Sequence, residues 1–235
     1  MAKILALDTS TPACSVALNI DGVVLEDFRI APRLHNDLIL PMVDQILSQA
    51  SLTLTGLDAI AFGRGPGSFT GLRISAGVVQ GLAYGADLPV VPVSTLEALA
   101  LEAFQKTGNN HWLSALDARM GEIYLGGYHV NKVDGQYLIE SLLKEQVVKP
   151  EALSAFDVNF SGVGSGWCYE DTLSALLDSP PTHVLSDLAP RAACIAELAA
   201  SSFEKGEYVS SYEAIPIYLR DEITWEKQAP RVGKR

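Results

Sequence analysis

The chain opens with two short stretches whose polarity pattern is typical of β-strands. Residues 3–9 (KILALDT) are a compact apolar run that reaches Asp8, and residues 14–20 (CSVALNI) alternate apolar and polar side chains. The turn-forming sequence STPA lies between them. Two strand-like stretches separated by a short turn predict a β-hairpin at the start of the chain.

Helical periodicity follows at residues 35–50 (HNDLILPMVDQILSQA). Residues 57–62 (LDAIAF) then form an apolar stretch typical of a buried strand, and the segment GRGPGSFTGLR leads into a second helix at 70–85. A third helix is predicted at 94–106. Strands that alternate with helices in this way indicate an α/β protein.

The same order of signals occurs twice along the chain. Ala-Leu-Asp ends a strand at Asp8 and again at Asp117, and each is followed by a polar turn and a second strand. In both DAIAFGRGPGSF and DVNFSGVGSGWC, an Asp is followed five residues later by G-x-G-x-G, at 63–67 and 162–166. Two matching pairs in the same order predict two copies of one unit of about a hundred residues.

Composition limits the classes of protein that fit. The 235 residues are 48% hydrophobic and 19% charged, as in a globular protein, and the formal net charge of −11 disfavours a basic groove for nucleic acid. The three cysteines form no C-x-x-C pair, which predicts a reducing, cytoplasmic location. No signal peptide and no membrane span are expected, because every apolar run is short. Four basic residues near the end predict a basic tail: Lys227, Arg231, Lys234 and Arg235.

Glycines at 77, 81 and 85, here called the glycine stripe, recur every four residues in the second predicted helix. Each glycine inside a helix costs roughly 1 kcal/mol relative to alanine, so we expect close packing to offset that cost. The packing partner is either the protein's own sheet or a partner subunit, and we favour the subunit. An inward apolar face is already supplied by other positions of this helix: Leu72, Ala76, Val79 and Ala83.

The loop GRGPGSFTGLR fits neither of two common phosphate-binding motifs. G-x-x-x-x-G-K-[ST] requires a lysine, and none occurs between Lys3 and Lys106. The third glycine of G-x-G-x-x-G would fall at a serine or a threonine. The loop still presents backbone N–H groups at a helix start, which favour an anion. A structural turn and a phosphate site both stay open, and the candidate phosphate contacts are Asp8, Gly65, Gly67 and Ser68.

Catalytic groups are harder to assign. Asp8 and Asp117 are the acidic candidates, with turn capping as the alternative role. The four histidines, at 35, 111, 129 and 183, share no helix face at i and i+4, so no metal site is predicted. His35 is expected to cap its helix or to lie at the surface. No serine is centred in a G-x-S-x-G elbow at a strand-to-helix turn, and no catalytic residue is assigned.

A resemblance to the TsaB (YeaZ) family of bacterial tRNA threonylcarbamoyladenosine biosynthesis proteins rests on five segments. They are ILALDTSTPACSVAL, LHNDLILPMVDQIL, GRGPGSFTGLRISAGVVQGLA, STLEALA and PIYLRDEI. This family is similar to the actin-like ATPase (ASKHA) superfamily. The resemblance implies an α/β, two-lobed actin-like (ribonuclease H-like) duplicated fold with mixed sheets flanked by helices. The N-terminal lobe would comprise residues 1–105 plus about 209–235, and the C-terminal lobe residues 106–208.

The resemblance also implies a function. The family is paralogous to TsaD, the catalytic transferase, whose branch holds a metal ion with the two histidines of an H-x-x-x-H motif. Here Ile39 stands where the second histidine would follow His35, so that metal site is not expected. The chain would be a non-catalytic partner that binds TsaD and, with the ATPase TsaE, supports threonylcarbamoyl transfer to N6 of adenosine 37 in tRNAs reading ANN codons. It would form homodimers through the same surface. It would hold no cofactor of its own, with ATP or ADP in the complex, and would meet tRNA only through that complex.

The surface implied for TsaD and for the homodimer lies on the first two helices, 35–50 and 70–85. The first helix would contribute Leu38, Met42, Gln45, Ile46 and Gln49, and the second Arg73, Gly77, Gln80, Gly81 and Tyr84.

Two other functions stay open at this point. An actin-like small-molecule kinase would use the two acidic candidates and both glycine loops for phosphoryl transfer. A glycoprotease-like peptidase is the weaker alternative, because neither a metal site nor a nucleophile is evident from the sequence.

Overall fold

The computed structural model describes residues 2–133 and 135–220, which contain ten strands and five α-helices. The strands are β1 (Lys3–Asp8), β2 (Ala13–Ile20), β3 (Val23–Ile30), β4 (Ala59–Gly65), β5 (Val90–Ser94), β6 (His111–Arg119), β7 (Glu122–Val133), β8 (Gln136–Val148), β9 (Ser161–Val163) and β10 (Val184–Leu185). The helices are α1 (His35–Gln49), α2 (Phe69–Ala86), α3 (Thr95–Thr107), α4 (Glu170–Ser174) and α5 (Ala192–Glu204).

The strands form two five-stranded mixed sheets with the same topology. The first sheet has the order β3-β2-β1-β4-β5 and the second the order β8-β7-β6-β9-β10. In each sheet the first three strands pair antiparallel, and the last two continue in parallel from the first strand. The predicted hairpin and the predicted duplicated α/β fold are therefore confirmed.

Helices cover the first sheet on both faces. Helices α1 and α2 bury their apolar sides against one face, in a core that includes Leu5, Leu7 and Phe62. Helices α3 and α5 fill the space between the two sheets, and one continuous core joins Ile4 of the first sheet to Trp112 of the second. A smaller core closes the outer face of the second sheet. The order of layers is thus α1/α2, first sheet, α3/α5, second sheet.

A polar cluster also connects the two sheets. The Arg64 guanidinium at the end of β4 lies 3.6 Å from a carboxylate oxygen of Glu145 in β8. The same carboxylate accepts hydrogen bonds from the Tyr128 hydroxyl, at 3.1 Å, and from Ser94, which caps the start of α3. Burial, and then the nearby Glu145 carboxylate, raise the pKa of Glu97 to about 7, while Arg64 lowers it. The glycine loop after β4 is therefore anchored to the second sheet.

The C-terminal part of the chain returns to the first sheet. Helix α5, which falls in the predicted second lobe of residues 106–208, packs against β1 and β2. Val209 and Val90 then exchange backbone hydrogen bonds of 2.9 and 2.8 Å. The exact lobe boundaries stay a prediction. The predicted basic tail lies outside the described residues. Within residues 2–133 and 135–220, no helix has the length and apolar character needed to cross a bilayer.

Candidate functional site

The glycine loop after β4 packs directly against the turn that follows β1. A Cβ atom added at Gly71 would overlap the carbonyl oxygen of Thr9, and one added at Gly67 would lie 2.6 Å from the carbonyl oxygen of Ser10. A Cβ at Gly65 would lie 2.8 Å from the carbonyl oxygen of Ile217. Glycine is required at these positions because two backbone segments touch there.

Several polar groups of the loop are bonded within the protein. The Gly65 amide donates to the Thr95 hydroxyl at 3.1 Å, and the Ser68 amide donates to the Ser10 carbonyl at 2.7 Å. The Ser68 hydroxyl accepts from the Gly71 amide at 3.4 Å as the N-cap of α2. A phosphate would have to displace these internal partners. The geometry therefore favours the structural interpretation of the loop over the predicted phosphate contacts of Gly65, Gly67 and Ser68.

Asp8, the fourth predicted phosphate contact, is fully buried behind the loop. One carboxyl oxygen accepts hydrogen bonds from the Ser10 amide at 3.0 Å and the Ser10 hydroxyl at 2.8 Å. The other oxygen has no hydrogen-bond partner among the described residues, and it fills the space that a side chain at Gly63 would need. Burial raises the pKa of Asp8 from 3.8 to about 7, although both Ser10 hydrogen bonds lower it. Asp8 is thus closed off from solvent and loses much of its charge near neutral pH.

The second glycine loop also packs closely against the first strand of its half, but on β6 itself rather than on the turn that follows it. A Cβ at Gly164 would overlap the carbonyl oxygen of Ala115, and one at Gly166 would lie 2.7 Å from the Ala115 Cβ. Asp117, the other acidic candidate, accepts from the Arg119 amide at 2.9 Å and pairs with the Arg119 guanidinium at 3.0 Å. These contacts support the turn-capping role of Asp117.

His35 is neither a helix cap nor a surface group, so that prediction was wrong. Its side chain is buried, and Nε2 lies 2.9 Å from the carbonyl oxygen of Thr11 and 3.2 Å from that of Ala13. Since both oxygens are acceptors, Nε2 donates and joins α1 to the hairpin. In the part of the chain that the structure describes, no three His, Cys, Asp or Glu side chains form a group able to hold a metal ion.

The glycine stripe of α2 faces away from the protein's own sheet. A Cβ added at Gly77, Gly81 or Gly85 would meet nothing within 4 Å, and all three residues are exposed. The opposite side of α2 is buried in the first core, as the periodicity predicts. The sheet is therefore excluded as the packing partner of the stripe.

Apolar side chains border the stripe. A depression of about 440 Å³ lies between the starts of α1 and α2, and the Arg73 guanidinium stacks 3.8 Å above the centre of the Phe69 ring. Phe69 is 43% exposed. The residues lining the depression are Asn36, Phe69, Thr70, Arg73, Ile74, Gly77 and Val78. Sequence analysis missed Ile74 and Val78, although their i, i+4 spacing beside the glycines was a usable signal.

Two of the predicted interface residues of α1, Met42 and Ile46, need correction. Met42 and Ile46 are buried in the core beneath α1, because they face the first sheet. Gln45 and Gln49 line a different depression, on the β3 side of the helix, and Leu38 is half-buried against the core. The residues of α1 on the α2 side are instead Asn36 and, one turn later on the same face, the exposed Leu40.

Two predicted residues of α2 already have partners in the same chain. The Gln80 amide donates to the carbonyl oxygen of Ala214 at 3.0 Å, and Arg73 Nε lies 3.3 Å from the Tyr218 hydroxyl. The C-terminal segment therefore runs along one side of α2. Among the predicted residues of α2, Gly77 and Gly81 have open space beside them and Tyr84 is exposed, while Arg73 lies next to the C-terminal segment.

These features define a duplicated actin-like protein with closed glycine loops and one open helix face. Over residues 19–227 the chain matches the family model described as "TsaD: tRNA N6-adenosine threonylcarbamoyltransferase". It is 43% identical to the proteins named "tRNA threonylcarbamoyladenosine biosynthesis protein TsaB" of Haemophilus influenzae and Escherichia coli. These alignments cover 95% of this chain and 96% of the first relative, and 96% of this chain and 97% of the second.

Structural comparison agrees with the sequence comparisons. The solved structure titled "YeaZ from Pseudomonas aeruginosa" is similar to this chain with a TM-score of 0.85 and 41% identity, covering 93% of this chain and 100% of that one. The chain belongs to the TsaB (YeaZ) family, a group paralogous to TsaD. The resemblance inferred from the sequence motifs is confirmed.

Substituting Gly71 and Gly77, both in α2, should have opposite effects on stability. Gly71→Ala places a Cβ against the Thr9 carbonyl and should lower the free energy of unfolding by about 3 kcal/mol or more. Gly77→Ala has open space and should raise it by up to about 1 kcal/mol through the better helix propensity of alanine. Urea unfolding of both variants measures the two changes in the free energy of unfolding. Equal effects would contradict the close contact between loop and turn.

Asp8 should make stability depend on pH. The folded protein holds a proton on Asp8 up to about pH 7, whereas the unfolded chain releases it near pH 3.8, so the free energy of unfolding should fall as pH rises through that window. Asp8→Asn should remove this part of the slope. The measurement is urea unfolding at several pH values between 4 and 8. An unchanged slope in the variant would show that another group carries the dependence.

Proposed function

We propose that this chain is a non-catalytic partner in tRNA threonylcarbamoyladenosine biosynthesis. It acts in the cytoplasm by binding TsaD, which together with TsaE carries out threonylcarbamoyl transfer to N6 of adenosine 37 in tRNAs reading ANN codons. Membership of the TsaB (YeaZ) family and the printed names of the relatives support this role.

The open face of α2 is the observation that carries the proposal. The three exposed glycines of the stripe each cost roughly 1 kcal/mol in helix stability, and nothing in the described chain packs on them. Removing side chains from one stripe allows a second helix to approach closely. Ile74 and Val78 beside the stripe supply apolar surface for such a contact. A helix of TsaD packed on this face would offset the cost of the glycines.

The internal hydrogen bonds of the first glycine loop support a non-catalytic role for this chain. A kinase needs free amide groups to bind phosphate, and here the Gly65 and Ser68 amides are bonded to Thr95 and Ser10. Asp8 is buried behind the loop, where no substrate reaches it. The kinase alternative therefore draws no support from the Gly65 and Ser68 amides. His35, bonded to the hairpin carbonyls, gives none to the peptidase alternative.

This chain would activate TsaD by binding one conformation of TsaD more tightly than another. If the chain binds the TsaD conformation with an ordered nucleotide cleft more tightly than the open one, docking shifts TsaD towards the competent form. ATP or ADP would then be held in the complex rather than by this chain alone. The net charge of −11 is consistent with tRNA being held by the partners. In the absence of TsaD, the same α2 face would support a homodimer.

Gly81→Leu tests the interface directly. The leucine side chain would keep a partner helix from the α2 backbone, and we expect binding to TsaD of the same organism to weaken roughly tenfold to a hundredfold. Isothermal titration calorimetry measures the affinity, and the threonylcarbamoyladenosine content of bulk tRNA in a strain carrying the variant should fall with it.

Gln45→Leu is the matched control, because it adds an apolar side chain on the β3 side of α1. It should leave the affinity for TsaD unchanged. Melting temperatures of both variants establish that each is folded. If Gly77→Leu and Gly81→Leu both bind TsaD with wild-type affinity while remaining folded, the interface lies elsewhere.

A further inference from the structure

A cleft of about 620 Å³ lies beyond the C-terminal end of α2. One wall is the end of α2 and the turn after it, residues 83–89, and the other is the returning segment 208–213. Neither the glycine stripe nor the glycine loops line this cleft.

Three tyrosine side chains line the cleft. Tyr84, Tyr212 and Tyr208 are 82%, 77% and 49% exposed, and all three line it. An exposed tyrosine presents a broad ring face and a hydroxyl to a partner, and tyrosine is enriched where proteins bind one another. Three such rings around one depression form a surface on which a flat group can stack.

The cleft is also negatively charged. Asp87 and Glu213 line it, and none of the lining residues is a lysine, arginine or histidine. In the described chain the Asp87 carboxylate has no hydrogen-bond or salt-bridge partner, and it lies at the C-terminal end of α2, where the helix dipole favours a cation. Hydrogen bonds from Ser210 lower the pKa of Glu213, which keeps it ionised.

The walls of the cleft are held in place before any partner binds. The backbone bonds between Val90 and Val209, and the bond from Gln80 to Ala214, fix the returning segment. Ser210 and Glu213 form a capping box within that segment. Asp87 takes a left-handed conformation with φ 55° and caps α2 through its backbone amide. Little ordering is needed on binding, which favours affinity.

We propose that this cleft binds an arginine-bearing segment of a partner protein. The guanidinium stacks on the tyrosine rings and pairs with the carboxylates of Asp87 and Glu213. Arginine fits better than lysine because its charged group is planar and can stack and donate in the same pose. Single-stranded RNA also stacks on tyrosine, but its phosphates would be repelled by the two carboxylates. Tyr84 borders both surfaces, so this cleft extends the open face of α2.

The test uses the full chain labelled with ¹⁵N and the peptide acetyl-Gly-Arg-Gly-Arg-Gly-amide as the probe. Two-dimensional NMR spectra should show saturable amide shifts confined to residues 83–89 and 208–213. The same peptide with citrulline in place of each arginine keeps the shape but loses the charge, and it should bind roughly tenfold more weakly. Asp87→Asn and Tyr212→Ala should each weaken binding of the arginine peptide to a similar degree.

Asp21→Asn is the matched control. Asp21 is an exposed aspartate in a hairpin turn with φ 52°, close to the φ of 55° at Asp87, so both substitutions place asparagine in the same backbone conformation. This variant should bind the arginine peptide like the wild type. The proposal is overturned if the peptide gives no saturable shifts at millimolar concentration, if citrulline binds equally well, or if an oligouridylate shifts these residues and the peptide does not.

Discussion

The contact between the glycine loop and the turn after β1 is the constraint on which the rest of the structure depends. Gly67 and Gly71 lie against the carbonyl oxygens of Ser10 and Thr9, and the Thr9 hydroxyl donates to the Gly71 carbonyl at 2.7 Å. This contact fixes where α2 begins and how it lies on the first sheet. It therefore determines that the apolar side of α2 is buried, that the glycine stripe faces solvent, and that Asp8 is buried behind the loop.

The duplication shows how the two halves diverged. The strand order is the same in both sheets, but the second loop packs on β6 itself, with Gly164 and Gly166 against Ala115, whereas the first packs on the turn after β1. In the first half, however, a 15-residue helix joins β3 to β4 and an 18-residue helix joins β4 to β5. In the second half, β8 and β9 are joined by one short 3₁₀ turn, and α4 has only 5 residues. Within the described residues, only the first half has two long helices in these connections.

The sequence predicted the features that depend on local pattern. The hairpin, the duplicated loops and the buried side of α2 follow from strand alternation, glycine spacing and helical periodicity. The partners of the loop amides were not predictable, because Thr95 is 30 residues from Gly65. Nor was the rotation of α1 about its axis, which buries Met42 and Ile46 and turns Gln45 towards β3; packing on the sheet decides it. The burial of His35, which was expected to cap its helix or to lie at the surface, depends on the same packing.

We propose that this chain binds TsaD through the open face of α2 and not through the glycine loop. Hydrogen–deuterium exchange of the protein, alone and with TsaD, tests it most directly. We expect TsaD to slow exchange in residues 69–86 and at the start of α1 and to leave exchange on the β3 side of α1 unchanged. Slower exchange on the β3 side of α1, with residues 69–86 unaffected, would contradict it.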